Sequence, residues 1–326
     1  MARTEFRFDR FMGLALHDPE RGYYARRIGA IGGRRGDFTT APMLSGCLGR
    51  AVAAWAARAL RETGCRDLVE IGPGDGTLAE SVWRMLPWPT RWRTRLHLVE
   101  TSAPLRELQQ TRLGRRARWH ARPEEMLDAC RGRAVVFSNE LVDAFPVRRF
   151  QLTDCGWREM AVVFDPPAAP REILLDNGDL PASSVFAQTY PSGQRVEVHD
   201  SYREWLTGWL PQWRAGRMLT IDYGDTAESL YHRRPGGTLR GYLMQQRVEG
   251  ADCYLNIGRQ DLTADVNFTD LTEWSAPWAE TRELRTLGEF IAPFADGGSA
   301  ADRALADGLG AGGAFRVLEQ RCLSSG

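Results

Sequence analysis

The stretch from Asp67 to Leu78, DLVEIGPGDGTL, constrains this chain more than any other. Its opening residues form a nearly continuous apolar run with β-branched Val69 and Ile71, which suits a parallel strand covered on both faces. Glycines at 72, 74 and 76 then turn the chain, and apolar residues from Leu78 onward recur at helical spacing. The unit is a strand, a tight glycine loop and a helix. Lacking Cβ atoms, such a loop brings bare backbone N–H groups and a positive helix terminus against a ligand.

The spacing bears on which ligand. A dinucleotide fingerprint has the form G-x-G-x-x-G, its third glycine packing helix against strand. Here the pattern is E-x-G-x-G-x-G, with Glu70 ahead of the first glycine. That form resembles the first motif of class I S-adenosylmethionine (SAM) methyltransferases, whose cofactor has an amino-acid tail and a sulfonium but no pyrophosphate. Arg95 to Glu100 reads as the next strand, and Glu100 at its carboxyl end has two acceptor oxygens for ribose hydroxyls.

Composition narrows the function classes. The 326 residues suffice for a full α/β core with room for an insertion. Lys+Arg 42 against Asp+Glu 42 argues against nucleic acid or a membrane as the main partner. Every strong basic side chain is arginine, so a Schiff-base lysine is excluded. The six cysteines are scattered without C-x-x-C pairs and the five histidines are unclustered, so neither a disulfide framework nor a metal site is expected. MARTEFRFDRFMGLAL mixes charges through its apolar residues and does not read as a signal peptide; the expected location is cytoplasmic.

Taken in order, residues 1–60 read as an N-terminal helical arm with a cofactor-covering loop, and 61–146 as the first half of a Rossmann-like domain. Residues 147–198 read as an insertion of antiparallel β structure, and 199–326 as the second half with acceptor-site loops. The fold class expected is α/β, a doubly wound sheet with a helical arm and a β-rich insertion.

In open α/β sheets the ligand crevice lies off the carboxyl ends of the strands. Those ends carry Gly72 to Gly76, Glu100, Asn139-Glu140 with Asp143, and Asp222-Tyr223. Glu140 and Asp143, three apart at the start of a helical turn, would present two carboxylates to one cation. An arginine guanidinium fits, because its planar fork pairs bidentately with carboxylates. Carboxylates on two of its nitrogens would hold the third in line for attack and accept its proton.

The ordered segments LALHDPERGYY, GDFTTAP, DLVEIGPGDGTL, LHLVETSAPLRELQ, SNELVDAFPVRRFQ, TIDYG, GTLRGY, NIGRQDLTADVNFTDL and GAFRVL resemble the MidA-type family, from about Phe11 to Leu318. This is the group of SAM-dependent methyltransferases containing the mitochondrial complex I assembly-factor arginine methyltransferase. NELVDAFP and QDLTADVNF are its specific marks. The resemblance implies SAM contacts at Gly72, Gly74, Gly76 and Glu100, beside Glu70, with Asp37, Phe38 and Thr39 closing over the cofactor. It implies Asn139, Glu140 and Asp143 at an arginine acceptor. Tyr24, Asp222, Tyr223 and Asp265 are further acceptor-side candidates in this sequence.

This sequence departs from the family at Asp265 and Met43 and in GYLMQQ after GTL. An added carboxylate at Asp265 would suit the α-amino group of a small cation, so free L-arginine is slightly favoured over an arginine-bearing protein. A non-catalytic assembly or binding factor of the same fold is the competing reading, and a homodimer is left open.

Overall fold

The computed structural model describes residues 3–26, 46–176, 179–244, 246–295, 299–308 and 310–323. Asp37, Phe38, Thr39 and Met43 lie outside them.

The central sheet contains, in chain order, β1 (Asp67–Ile71), β2 (Arg95–Val99), β3 (Ala117–His120), β4 (Val135–Asn139), β5 (Arg217–Asp225), β6 (Ala279–Thr286) and β7 (Phe315–Cys322). Across the sheet the order is β6, β7, β5, β4, β1, β2, β3, with the short strand Val266–Asn267 also on β5. Strands β3, β2, β1, β4 and β5 pair in parallel, whereas β7 runs antiparallel to β5 and β6.

Strand β1 is buried at all five positions. Leu68 enters the core formed with the helix Gly46–Thr63, and Val69 enters the opposite core beneath Pro123–Cys130 and Asp200–Trp209. Because successive side chains point to opposite faces, a strand covered on both sides cannot alternate apolar with polar residues. The helix Thr77–Met85 starts directly after Gly76, whose φ of 82° only glycine adopts without strain.

A second sheet joins Arg148–Thr153, Gly156–Phe164, Arg171–Leu174 and Arg195–Val198 in antiparallel pairs. Its edge is completed by Thr4–Arg7, which pairs with Gly156–Phe164. The N-terminal arm, read as helical in sequence, therefore opens with a strand, and its first helix begins at Phe8. A third sheet of Gln246–Val248, Arg240–Leu243 and Asp261–Thr263 lies in a region that reads as irregular in sequence. Strands of three or four residues are too short to display an alternation. No helix among the described residues is long and apolar enough to cross a membrane.

Candidate functional site

A cavity of about 420 Å³ opens at the carboxyl ends of β1, β2 and β4. Its walls include Glu70, Gly72, Gly74, Glu100, Asn139 and Glu140, with His17 and Tyr24 from the N-terminal segment.

On the glycine-loop side, Gly72 N–H donates to the Val99 carbonyl at 3.0 Å, tying the loop to β2. A Cβ at Gly72 would meet Leu141 Cδ1 at 2.6 Å, so glycine there lets the loop approach the segment after β4. A Cβ at Gly74 would meet nothing within 4 Å. Gly76 does not line the cavity; it starts the helix Thr77–Met85 and packs on Gln109.

Glu70 is buried and its Oε2 has no partner among the described residues. Burial pushes its carboxyl well above the ordinary range, and Asp75 adds to the effect. Glu100 is raised as well, again mainly by burial. One of its oxygens accepts from Ser102 N–H at 2.8 Å and the other from Gln109 Nε2 at 3.3 Å. Gln109 Nε2 also donates to the Gly74 carbonyl at 2.6 Å, and Gln109 Oε1 accepts from Trp119 Nε1. Gln109 thus holds the loop and Glu100 in register. Its signal in the sequence is a polar residue inside the buried Leu105, Gln109, Leu113 stripe.

The other side is built on the segment after β4. Glu140 N–H donates to the Ile221 carbonyl at 2.9 Å, and Glu140 has a φ of 51°, a left-handed conformation uncommon outside glycine. Asp222 Oδ2 then accepts from the N–H groups of Leu141, Val142 and Asp143 at 3.1, 2.8 and 3.4 Å. The segment is consequently a turn closed by Phe145 N–H on the Val142 carbonyl, not the first turn of a helix. The premise that helical spacing aligns Glu140 with Asp143 does not hold, because one buried carboxylate gathers the amides that would begin the helix.

Glu140 and Asn139 line the cavity; Asp143 does not. Asn139 Nδ2 donates to Glu140 Oε1 at 2.9 Å, leaving the buried Asn139 Oδ1 without a partner among the described residues. Asp143 Oδ2 accepts from Thr263 Oγ1 at 2.7 Å. Asp222 is fully buried and outside the cavity wall. Tyr223 packs on Phe315 beneath the Arg240 guanidinium, which lies 5.3 Å from its ring. Asp265 is held by Arg234 and, at 2.5 Å, by Arg240.

Tyr24 lines the cavity, stacks on His17 and donates its hydroxyl to Asp261 Oδ1 at 3.2 Å. Burial and the nearby Asp143 push Asp261 up to about 8. Asp143 and Asp222 are likewise raised, chiefly by burial. Four acids, Glu140, Asp143, Asp222 and Asp261, therefore interact on this side, opposed at close range by Arg240. Asp261 escapes sequence reasoning because only the third sheet brings it beside Tyr24.

Elsewhere, Asp67, His97 and Cys130 lie together in a buried group that could hold a metal ion. The Asp67 carboxylate is already bound by Arg95 and by His97, and burial pushes the Cys130 thiol up to about 12.

A family model described as "Putative S-adenosyl-L-methionine-dependent methyltransferase" matches residues 51–287. The Drosophila melanogaster protein named Protein arginine methyltransferase NDUFAF7 homolog, mitochondrial, is 29% identical over 295 residues, covering 79% of this chain and 64% of that protein. The Homo sapiens Protein arginine methyltransferase NDUFAF7, mitochondrial, is 29% identical over 301 residues, covering 80% and 63%. The chain thus spans somewhat less than two thirds of the length of these curated relatives. A Burkholderia thailandensis crystal structure bound to S-adenosyl-homocysteine superposes with a TM-score of 0.84 at 25% identity, covering 97% of this chain and 88% of that one.

The expected cytoplasmic location is overturned by these relatives, which are named mitochondrial. The cofactor expectation stands, and the cavity suits SAM: unpaired lone pairs on Glu70 and Asn139, an open face at Gly74, and a carboxylate at Glu100 for hydroxyl donors. With its doubly wound sheet and SAM as cofactor, the chain belongs to the S-adenosyl-L-methionine-dependent methyltransferase family, of the MidA type.

Proposed function

We propose that this methyltransferase acts on a guanidinium nitrogen of an arginine side chain in a protein. The observation that carries the reading is the Glu140 carboxylate on the cavity wall, fixed by Asn139 and sharing that wall with the Tyr24 ring, an arrangement suited to a cationic acceptor. The relatives' names, which specify protein arginine methylation, support the same class of acceptor.

In this reading Gly72, Gly74 and Glu100 hold the cofactor, which when bound supplies a methyl group on an electrophilic sulfonium. Glu140 binds N–H groups of the guanidinium, holds the remaining nitrogen toward the cofactor and receives the proton that nitrogen loses. Asn139 fixes the Glu140 carboxylate through the 2.9 Å bond. Tyr24 offers an aromatic face to the cation. Asp143 supports the segment behind Glu140 through its bond to Thr263.

Free arginine, favoured slightly by the sequence, is not carried forward. The comparisons lend it no support, and the Asp265 carboxylate on which it rested is taken by Arg234 and Arg240. The test is incubation with labelled SAM and arginine-bearing proteins, followed by mass spectrometry of the modified side chain. Methylarginine is the expected product; label on another residue type would end the proposal. Glu140→Gln is expected to lower turnover by about tenfold or more, ~1.4 kcal/mol of barrier, with S-adenosyl-homocysteine binding unchanged. Full turnover in that variant would remove Glu140 from the mechanism.

A further inference from the structure

At the opposite end of β2 and β3 from the cavity lies a second concavity, of about 510 Å³, where these strands begin. Its lining includes Trp88, Trp92, Arg91, Arg115, Arg116 and Arg118. Trp88 and Trp92 are 70% and 82% exposed, on the short helix Trp88–Arg93.

The arginines here differ from those around them. Arg95 pairs with Asp67, Arg112 with Asp75 and Glu80, Arg84 with Glu80, and Arg122 with Glu125. By contrast, Arg91, Arg115, Arg116 and Arg118 pair with no carboxylate among the described residues. In a chain whose acidic and basic residues balance, the guanidiniums of Arg91, Arg115 and Arg116 beside two bare indoles form a local excess of positive charge, with Arg118 on the other face of β3 in register with His97. Alongside them β3 is the last strand of the central sheet, with β2 its only strand neighbour among the described residues.

We infer that this surface docks an extended acidic segment of a partner protein, its carboxylates taken by Arg91, Arg115 and Arg116 and its apolar side chains by Trp88 and Trp92. Tryptophan and arginine are the side chains that dominate protein interfaces, and guanidiniums pair bidentately with carboxylates. The open edge of β3 gives such a segment backbone groups to bond. Single-stranded nucleic acid could also use arginine and tryptophan, but the chain as a whole carries no excess positive charge to attract a long polyanion. A second copy of this chain would set arginines against arginines.

The probe is a fluorescein-labelled peptide of about a dozen residues alternating glutamate with valine, so that carboxylates line one face. Its fluorescence anisotropy is followed with the intact protein. Binding is expected, weakened about tenfold or more by Arg91→Glu with Arg116→Glu, and comparably by Trp88→Ala with Trp92→Ala. Melting midpoint and S-adenosyl-homocysteine affinity, which this surface does not touch, report whether each variant folds. Should the arginine pair fail to fold, the exposed tryptophan pair still decides. The proposal is overturned by absence of binding, by equal binding to folded variants, or by equal binding of a peptide with glutamine for glutamate. Tighter binding of an oligothymidylate at the same ionic strength would reassign the surface to nucleic acid. Self-association abolished by the tryptophan variant would reassign it to a second copy.

Discussion

Glu100 and Asp222 occupy comparable places in the chain: Glu100 follows the last residue of β2, Asp222 follows the last residue of β5 that pairs in parallel with β4, and each is buried. Their carboxylates are used in opposite ways. Glu100 lines the cavity with one donor on each oxygen, leaving lone pairs for a ligand. Asp222 lies outside the wall of that cavity; its oxygens accept from the amides of Leu141, Val142, Asp143 and Tyr223. One acid faces the cavity, and the other builds the turn that sets Glu140 at the cavity. A strand-end acid is thus evidence for a crevice, but its partners decide whether it binds or positions.

The difference can be broken most forcefully at Asp222. Asp222→Ala leaves three or four buried amides without an acceptor and is expected to cost about 3 kcal/mol of stability, read as a lower denaturation midpoint in urea. Unchanged stability would mean the turn holds itself. Glu100→Ala should do the reverse. S-adenosyl-homocysteine affinity falls by about thirtyfold, ~2 kcal/mol for lost bonds to a carboxylate, while calorimetric stability moves by about 1 kcal/mol or less. Equal losses of stability in the two variants would erase the distinction.

A third test concerns Asp261, whose carboxyl is pushed from 3.8 up to about 8 by burial. Because the folded state keeps this proton where the unfolded chain has lost it, the contribution is fully present below about pH 4. It is lost as pH rises through the folded value. Asp261→Asn should therefore flatten the decline in melting midpoint between about pH 5 and about pH 8.5 relative to the unaltered protein. Asp143 and Asp222, raised in the same direction, supply whatever decline persists. An unaltered slope would show that Asp261 ionises normally.

Much of the cofactor half was legible in the sequence, since a strand buried on both faces followed by a glycine turn is a local pattern. Glu70, Gly72, Gly74 and Glu100, read from that pattern, line the cavity, whereas Gly76, read with them, does not. The acceptor half was legible only in its inventory. Asn139, Glu140, Asp143 and Asp222 were named, but their division of labour depends on a hydrogen bond between residues some eighty positions apart. Asp261 was hidden for the same reason, within a strand of three residues whose pairing sets it beside Tyr24. The Asp265 carboxylate looked free in sequence because Arg234 and Arg240, its partners, are distant along the chain.

The left-handed backbone at Glu140 sets stability and chemistry against each other at a single codon. A side chain in that conformation costs about 1 kcal/mol that glycine would not. Drift toward greater stability would thus favour Glu140→Gly, a change that deletes a carboxylate from the cavity wall. Selection of variants for thermal resistance alone should enrich that replacement and yield well-folded, cofactor-binding, inactive proteins.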